Sequence, residues 1–155
     1  MIQIAVMGHG VVGSGVVEVF YKNRESIQQK AGHEMDIAHN LDFREFPETP
    51  YADKFTKNFD DILNDETVKI VVETMGGVHP AYDYVKACLQ NGKSVVTSNK
   101  ELVATMGAEL IRIAKDKNVN FLFEASVGGG IPILRPITQC LAANEITEID
   151  GILNG

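Results

Sequence analysis

Three glycines near the N-terminus have the spacing of a loop that binds phosphate groups. They form the pattern GxGxxG at Gly8, Gly10 and Gly13, directly after the apolar run Ile2–Met7 and at the start of a helical pattern. The first glycine permits a tight turn, the second lets the backbone approach a pyrophosphate, and the third lets the helix pack closely on the strand. The free N–H groups at the start of the helix attract an anion. The pattern predicts dinucleotide binding, with a purely structural turn as the alternative.

The residues around the second predicted strand do not decide which dinucleotide would bind. An NAD site usually places Asp or Glu about 20 residues after the glycines, to hold the ribose 2′-hydroxyl. Asp36 and Asp42 are candidates for that role, although neither has the ideal spacing. Nearby cations could instead meet the 2′-phosphate of NADP, namely Arg44, Lys54 and Lys57. Each of these residues can equally belong to a solvated charged loop, so the choice stays open.

Lys100 follows a predicted strand at a position where ligands bind in α/β proteins. Residues 97–101 run from a strand end into a helix that Ser98 or Asn99 can cap. A cation in the first helical turn opposes the helix dipole, which costs roughly 0.3–1 kcal/mol. Because substrates bind at the carboxyl edge of such sheets, Lys100 could hold an anionic or carbonyl substrate and transfer a proton. A solvated surface lysine explains the spacing equally well.

A second glycine-rich junction follows the predicted strand over residues 119–124. It has the sequence EASVGGGIP over residues 124–132. Its backbone carbonyl oxygens and the Glu124 carboxylate could ligate a hard cation such as Na⁺, Mg²⁺ or Ca²⁺, since these ions prefer oxygen ligands. The glycines can instead simply bring the backbone close to a cofactor. On the residues alone, the structural interpretation is favoured.

The rest of the chain alternates apolar strand-like runs with helix-like stretches. Such alternation predicts parallel βαβ units, and we expect a Rossmann-like α/β fold with a mostly parallel sheet and helices on both faces. The predicted strands are residues 2–7, 36–41, 68–74, 94–97, 119–124 and 146–153. The predicted helices are residues 11–30, 80–91, 101–117 and 132–143. Residues 41–57 show no clear periodicity and are expected to form an irregular connection after the second predicted strand.

Several apolar residues are expected to lie in the core. The first helix would bury a stripe that consists of Val12, Val16, Val19, Phe20 and Ile27. Cys88 and Cys140 are far apart and have no CxxC or Cys/His motif. We therefore expect two reduced thiols in the core and neither a disulfide nor a zinc site.

The composition is that of an ordinary globular domain. The 155 residues are 45% hydrophobic and 23% charged, which excludes disordered, collagen-like and coiled-coil chains. The net charge of −7 argues against a general nucleic-acid or anionic-membrane binder, because such binding needs a surplus of cations. No apolar run approaches the ~20 residues of a membrane span, and no signal peptide is recognisable. We expect a soluble, cytoplasmic protein without nucleic-acid or membrane partners.

Taken together, these segments resemble the N-terminal part of homoserine dehydrogenases. The similarity covers nearly the whole chain in the order of that family. The matching segments are GHGVVGSGVV (8–17), VVETMGG (71–77), GKSVVTSNKELVA (92–104), FEASVGGGIPIL (123–134) and IDGILNG (149–155). The NKELVA and EASVGGGIP blocks are far more specific than GxGxxG.

The resemblance implies an activity and a set of site residues. The activity is reversible, NAD(P)-dependent conversion of L-homoserine to L-aspartate 4-semialdehyde, on the route to threonine and methionine, with Lys100 at the nicotinamide and substrate. The implied cofactor contacts are Gly8, Gly10, Val11, Val12, Gly13, Asn40, Met75, Gly76, Ser98, Asn99, Lys100 and Gly151. A monovalent cation, Na⁺ or K⁺, would bind at Glu124, Val127, Gly129 and Ile131.

The chain departs from the family after the second predicted strand. The family usually has an arginine–aspartate pair there, and the matching stretch in this chain is His39-Asn40-Leu41-Asp42. The departure removes an expected partner of the 2′-phosphate. The implied cofactor is therefore NADP or NAD.

The resemblance also implies a domain that this chain lacks. We expect residues 1–155 to form a dinucleotide-binding domain in which residues 145–155 begin the link to a substrate domain. The complete protein would be a homo-oligomer that acts on a small-molecule substrate. The 155-residue chain alone would have no catalytic activity. Two other functions remain, namely another amino-acid dehydrogenase and a stand-alone dinucleotide-binding module that senses redox state or regulates a partner.

Overall fold

A parallel sheet of six strands forms the centre of the molecule. The computed structural model describes residues 1–152. Its strands are β1 (Ile2–Met7), β2 (Met35–Leu41), β3 (Phe55–Thr56), β4 (Val68–Glu73), β5 (Ser94–Thr97) and β6 (Phe121–Leu122). They lie in the order β3-β2-β1-β4-β5-β6, and each neighbouring pair is parallel. The strand order reverses between β1 and β4, so the predicted Rossmann-like fold is confirmed.

Helices connect the strands and cover both faces of the sheet. They are α1 (Val11–Lys22), α2 (Arg24–Ala31), α3 (Asp60–Leu63), α4 (Ala81–Gln90), α5 (Lys100–Asp116) and α6 (Ala125–Gly128). A 3-10 turn (Ala52–Lys54) precedes β3, and a π-helical turn (Pro136–Cys140) follows α6. None of the helices within residues 1–152 combines the length and the apolar composition that a membrane crossing needs.

Strand β1 contributes to both layers of the core. Its residues Ile4 and Val6 pack with Val17 of α1, whereas Ala5 and Met7 belong to the core that α4 and α5 cover. Alternate residues of a strand point to opposite faces of the sheet, so a strand covered on both sides needs an unbroken apolar run. This requirement explains the run of four buried apolar residues, IAVM over residues 4–7, directly before the first glycine of the loop.

The first helix is shorter than predicted and buries a different face. The helical pattern of residues 11–30 is interrupted at Asn23, which ends α1 and precedes α2. Val12 and Val19, expected in the core, are 52% and 57% exposed. The residues that α1 buries are Gly13, Val17 and Phe20. Since these three positions share one helical face, the close approach at Gly13 also selects which residues of α1 face the sheet.

The C-terminal part has less regular structure than predicted. The strand expected over residues 119–124 is limited to β6, and the helix expected over residues 132–143 is reduced to a short turn around Pro136–Cys140. Residues 146–152, expected to be a strand, have no regular structure. A strand forms by pairing with another strand, and these seven residues pair with none in the described part of the chain. Leu153, Asn154 and Gly155, which end the predicted strand and the IDGILNG motif, lie outside the described residues.

The two cysteines are free thiols, as predicted, but they differ in environment. Cys88 is buried in α4, and burial raises the pKa of its thiol to about 12. Cys140 is exposed, so its expected place in the core is wrong. The turn that contains Cys140 lies beyond the two packed layers, and its sequence is therefore not constrained by the core.

Gly13→Ala should destabilise the fold, since a β-carbon at residue 13 would lie 1.9 Å from the carbonyl oxygen of Gly8. We expect the free energy of unfolding to fall by about 2–3 kcal/mol, because backbone must shift to relieve the overlap. Urea denaturation measures this change. Gly15→Ala is the matched control in the same helix, where the added β-carbon meets nothing within 4 Å. This control should gain about 0.5–1 kcal/mol, and an equal loss in both variants would contradict the account.

Candidate functional site

The loops after β1, β2 and β4 meet at the carboxyl edge of the sheet and enclose a cavity of about 300 Å³. Because the three strands are parallel, their following loops all lie at this edge, where the strand order reverses and ligands bind in such folds. The cavity is lined by Gly8, His9, Gly10, Leu41, Asp42, Phe43, Arg44, Thr74, Met75, Gly76 and Pro80. Four of the residues expected at a cofactor are among them, namely Gly8, Gly10, Met75 and Gly76.

The glycine loop is fastened to both neighbouring strands. Gly8 has a φ of +92°, a conformation that favours glycine, and its N–H donates to the carbonyl oxygen of Leu41 at 2.8 Å. On the other side, the hydroxyl of Thr74 donates to the carbonyl oxygens of Met7 at 3.1 Å and Gly8 at 2.9 Å. The loop therefore has a fixed position at the mouth of the cavity.

The N-terminus of α1 offers its backbone N–H groups to this cavity. The first helical hydrogen bond runs from the Ser14 N–H to the carbonyl oxygen of Gly10 at 2.9 Å. Val11, Val12 and Gly13 come before Ser14 in the helix. The first N–H groups of a helix have no hydrogen-bond partner within it, so these three are available to a ligand. A β-carbon added at Gly10 would meet nothing within 4 Å, so open space lies in front of the helix. This arrangement suits a phosphate group.

Asp42 is held at the end of β2 by charged and backbone donors. Its carboxylate accepts the His9 N–H at 2.8 Å, and the Arg44 guanidinium donates to both carboxylate oxygens, at 3.0 and 2.9 Å. The hydrogen bonds from the Arg44 side chain hold the pKa of Asp42 well below its usual range, with the backbone N–H groups of Arg44 and His9 adding to the effect. Of the two aspartates that the sequence left open, Asp42 lines the cavity, whereas Asp36 pairs with Lys54 at 3.1 Å.

Arg44 is the cation that reaches the cavity. Of the other two candidates, Lys57 pairs with Glu45 at 2.8 Å and Lys54 pairs with Asp36, and neither lines the cavity. An arginine–aspartate pair therefore does stand after the second strand, with the aspartate first and the arginine two residues later. This pair is not apparent from residues 39–42, because Arg44 lies beyond them.

Asn40 lies in the interior and not at the cavity. It is fully buried within β2, between Val6 of β1 and Phe55 of β3. Its amide nitrogen and oxygen have no hydrogen-bond partner among residues 1–152. Asn40, expected to contact the cofactor, therefore has no exposed surface at the cavity, whereas Asp42 and Arg44 line it.

His9 connects the glycine loop to the irregular segment that follows β2. Its imidazole contacts the rings of Phe46, Tyr51 and Phe55 edge-on, with ring centroids 4.7, 5.9 and 4.8 Å apart. Burial is the main cause that lowers the pKa of His9. The residue lines the cavity, and its aromatic contacts hold residues 46–55 against the glycine loop.

The loops after β4 and β5 meet beside the cavity. Asn99 caps α5, since its side-chain oxygen accepts the Leu102 N–H at 3.1 Å, and its amide donates to the carbonyl oxygen of Gly77 at 2.6 Å. Of the two predicted caps, Asn99 is therefore correct and Ser98 is not. Lys100 is the first residue of α5 and is exposed at the carboxyl edge. The structure thus brings Lys100 to the edge that also carries the glycine loop.

Glu124 performs a structural role in the second glycine-rich junction. Its carboxylate accepts the N–H groups of Ile133 at 2.5 Å, Leu134 at 2.7 Å and Arg135 at 3.0 Å. These backbone hydrogen bonds, the one from Ile133 first, lower the pKa of Glu124. The expected carboxylate ligand is therefore already engaged by the start of the next helical turn. Residues 1–152 contain no cluster of three or more His, Cys, Asp or Glu side chains suited to a metal ion.

One further predicted position lies away from the cavity, and two residues at the carboxyl edge were not indicated by the sequence. Gly151 is exposed in the irregular C-terminal segment and does not line the cavity. Thr74, which fastens the glycine loop, was not predicted as a site residue. Glu73 was also missed, although it is fully buried at the end of β4. The available signal was an acidic residue at the end of the apolar run IVV over residues 70–72.

Comparison with protein families agrees with this geometry. Residues 8–124 match the model described as homoserine dehydrogenase, NAD binding domain. The homoserine dehydrogenase of Lactococcus lactis subsp. lactis is 36% identical to the chain, over 99% of this chain and 37% of that protein. The chain thus spans little more than a third of the length of the curated relatives it matches.

Solved structures show the same similarity. The crystal structure of a homoserine dehydrogenase from Thiobacillus denitrificans matches with a TM-score of 0.84 and 37% identity, covering 92% of this chain and 34% of that one. A hyperthermophilic archaeal homoserine dehydrogenase in complex with NADPH shares the fold, with a TM-score of 0.71 and 22% identity. That match covers 88% of this chain and 47% of the archaeal chain.

Arg44→Ala should raise the pKa of Asp42 toward the usual range of an aspartate, because the guanidinium is the main cause of its low value. Carbon-detected NMR titration of the Asp42 carboxyl measures this change. A carboxyl with a depressed pKa stabilises the fold above its unfolded pKa and loses that contribution as the pH falls through the folded pKa. The stability difference between wild type and variant should therefore shrink in acid. Lys57→Ala is the control, and an unchanged Asp42 pKa in Arg44→Ala would contradict the assignment.

Proposed function

The chain belongs to the homoserine dehydrogenase family, whose NAD-binding domain it forms, and we propose that it supplies the cofactor site for interconverting L-homoserine and L-aspartate 4-semialdehyde. The observation that carries the proposal is the open N-terminus of α1 behind Gly10, which lies in a chain that matches this family along almost its whole length. When bound, the nicotinamide ring accepts or returns the hydride at the substrate carbon. The substrate-binding residues are proposed to lie outside residues 1–155.

The residues around the cavity fit a dinucleotide in one orientation. The N–H groups of Val11, Val12 and Gly13 are free of carbonyl partners within the helix, which suits the pyrophosphate. Asp42 and Arg44 follow β2, where the ribose of the adenosine half lies in this fold. The other half of the dinucleotide then lies toward the ends of β4 and β5, where Met75, Gly76 and Lys100 are placed.

The pair after β2 favours NADP over NAD. Both oxygens of Asp42 accept hydrogen bonds from His9 or Arg44, so fewer acceptor positions remain for a ribose hydroxyl. The guanidinium of Arg44 uses two of its five N–H donors on Asp42, and the Arg44 side chain is 62% exposed. An exposed arginine with free donors matches a 2′-phosphate. The archaeal neighbour that shares the fold is in complex with NADPH, which supports this choice.

Lys100 is the residue of this chain that we assign to the reaction itself. It is exposed on the first turn of α5, at the same edge as the cavity. Its terminal nitrogen can hold or move the proton on the substrate oxygen, which changes between an alcohol and a carbonyl in this reaction. Neighbouring Asn99 fixes the start of the helix through its bonds to Leu102 and Gly77.

The loop after β6 is assigned to a monovalent cation, Na⁺ or K⁺. The ligands would be backbone carbonyl oxygens of Glu124, Val127, Gly129 and Ile131. The carbonyl oxygens of Gly129 and Ile131 support this assignment, because they accept no backbone hydrogen bond from residues 1–152. The Glu124 carboxylate would shape the loop through its three N–H donors and would not ligate the ion.

Calorimetric titration of the chain with NADP⁺ and NAD⁺ in parallel tests the cofactor site. We expect both to bind, NADP⁺ more tightly. Gly10→Val should abolish binding, because its side chain fills the space in front of α1, while circular dichroism stays unchanged because that space holds no protein atom within 4 Å of the β-carbon. Absence of binding by the folded wild type, or equal binding by Gly10→Val, would overturn the proposal.

The role of Lys100 is tested in a full-length homoserine dehydrogenase that carries this domain. Lys100→Ala should lower kcat by about 10²–10⁴-fold, the usual contribution of acid–base catalysis, with little change in the Kd for NADP⁺. Lys115→Ala, in the last turn of the same helix, is the control and should keep full turnover. The reverse pattern for Lys100→Ala, weaker cofactor binding with turnover retained, would make Lys100 a cofactor contact.

A further inference from the structure

A buried carboxylate lies beneath the site without a role in the chemistry assigned above. Glu73 is the last residue of β4 and has no exposed surface. It lies between the two neighbouring strands, paired with Met7 of β1 and Thr97 of β5. Removing a carboxylate from water costs free energy unless hydrogen-bond donors compensate for the lost solvent. The donors that meet Glu73 therefore indicate what it is for.

Each oxygen of Glu73 serves a different loop. Oε1 accepts the N–H of Met75 at 2.7 Å, in the loop after β4. Oε2 accepts the hydroxyl of Thr97, at the end of β5. One side chain thus connects the starts of two loops that follow neighbouring strands.

The hydrogen bonds continue from Thr97 and close a ring. The Thr97 hydroxyl oxygen accepts the Asn99 N–H at 2.9 Å, and the Asn99 amide donates to the carbonyl oxygen of Gly77 at 2.6 Å. Gly77 lies two residues after Met75, so the ring runs through both loops and returns to Glu73. Residues 75–77 and 97–100 therefore cannot move apart without breaking one of these bonds.

We propose that Glu73 is the positioning residue of the nicotinamide half-site, and that it sets the distance between the loop after β4 and Lys100. The proposal rests on the proposed function, since it takes the cavity to be a dinucleotide site. The adenosine half lies over β1 and β2 in this fold, so the other half lies over β4 and β5. Asp42 and Arg44, at the adenosine half, take no part in the ring, and the effect of Glu73 is confined to one end of the cofactor.

The ring uses two acceptors at residue 73. A carboxylate presents an acceptor to both Met75 and Thr97, whereas a glutamine presents one oxygen and one NH₂ group. A glutamine whose oxygen accepts the Met75 N–H turns its NH₂ group toward the Thr97 hydroxyl. That hydroxyl already accepts the Asn99 N–H and would have to reverse its direction, which leaves its own hydrogen without the acceptor that Glu73 provides. Glu73→Gln preserves the shape of the side chain and removes the acceptor for the hydrogen of the Thr97 hydroxyl. Thr97→Val removes the hydroxyl and leaves the carboxylate in place, and Thr97→Ser keeps the hydroxyl.

Two ligands separate the halves of the site in a calorimetric titration of the 155-residue chain. NADP⁺ fills both halves, and ADP-ribose 2′-phosphate lacks the nicotinamide ring. We expect Glu73→Gln and Thr97→Val to weaken the binding of NADP⁺ about tenfold, because each variant disturbs the hydrogen bond between residues 73 and 97. Both variants should leave the affinity for ADP-ribose 2′-phosphate within about twofold of wild type. Thr97→Ser should keep the wild-type affinity for both ligands.

The remaining outcomes overturn the proposal in distinguishable ways. Wild type that binds neither ligand contradicts the proposed function and this inference together. If wild type binds NADP⁺ and ADP-ribose 2′-phosphate with equal affinity, the chain makes no favourable contact with the nicotinamide ring. Equal losses for both ligands would show that the ring supports the fold in general, and unchanged NADP⁺ affinity would show that it does not position the site. If Glu73→Gln does not fold, the contrast between Thr97→Val and Thr97→Ser decides.

Discussion

The close approach of α1 to the end of β1 is the constraint on which the rest of the site depends. It is possible because residue 13 has no side chain, and any β-carbon there would overlap the carbonyl oxygen of Gly8. The approach aims the start of α1 at the cavity, where its N–H groups face open space in front of Gly10. It also sets the rotation of the helix, so that Val17 and Phe20 enter the core and other valines face outward.

Two hydrogen-bonded units complete the carboxyl edge, one on each side of β1. On the β2 side, Asp42 joins the His9 N–H to the Arg44 guanidinium and places a charged pair beside the glycine loop. On the β4 side, Glu73 joins the loops that carry Met75 and Lys100. In both units a carboxylate at a strand end collects donors from different segments, because the ends of parallel strands bring their following loops together. The two halves of a dinucleotide would thus meet separately stabilised surfaces.

The second glycine-rich junction shows the same use of an acidic residue. Glu124 follows β6 and accepts three consecutive N–H groups from the start of the next turn. An anion at a helix N-terminus is favourable, since it satisfies free donors and complements the helix dipole. The glycines of the junction keep its carbonyl groups near the surface, where an ion or a cofactor can reach them. The family match gives these local features a common context, because it includes both glycine-rich loops and the segment around Lys100.

The sequence by itself determined the parallel α/β fold, the phosphate loop and the position of Lys100, because each depends on local periodicity or on residues close together in the chain. Tertiary structure decided the features that depend on which segments meet. It buried Asn40 and brought Arg44 to Asp42, since these positions follow from strand pairing and from the path of residues 43–54. It also left residues 146–152 without regular structure, because an apolar run becomes a strand only beside a partner. The role of Glu73 lay beyond sequence reasoning for the same reason, since its donors come from two loops more than twenty residues apart in the chain.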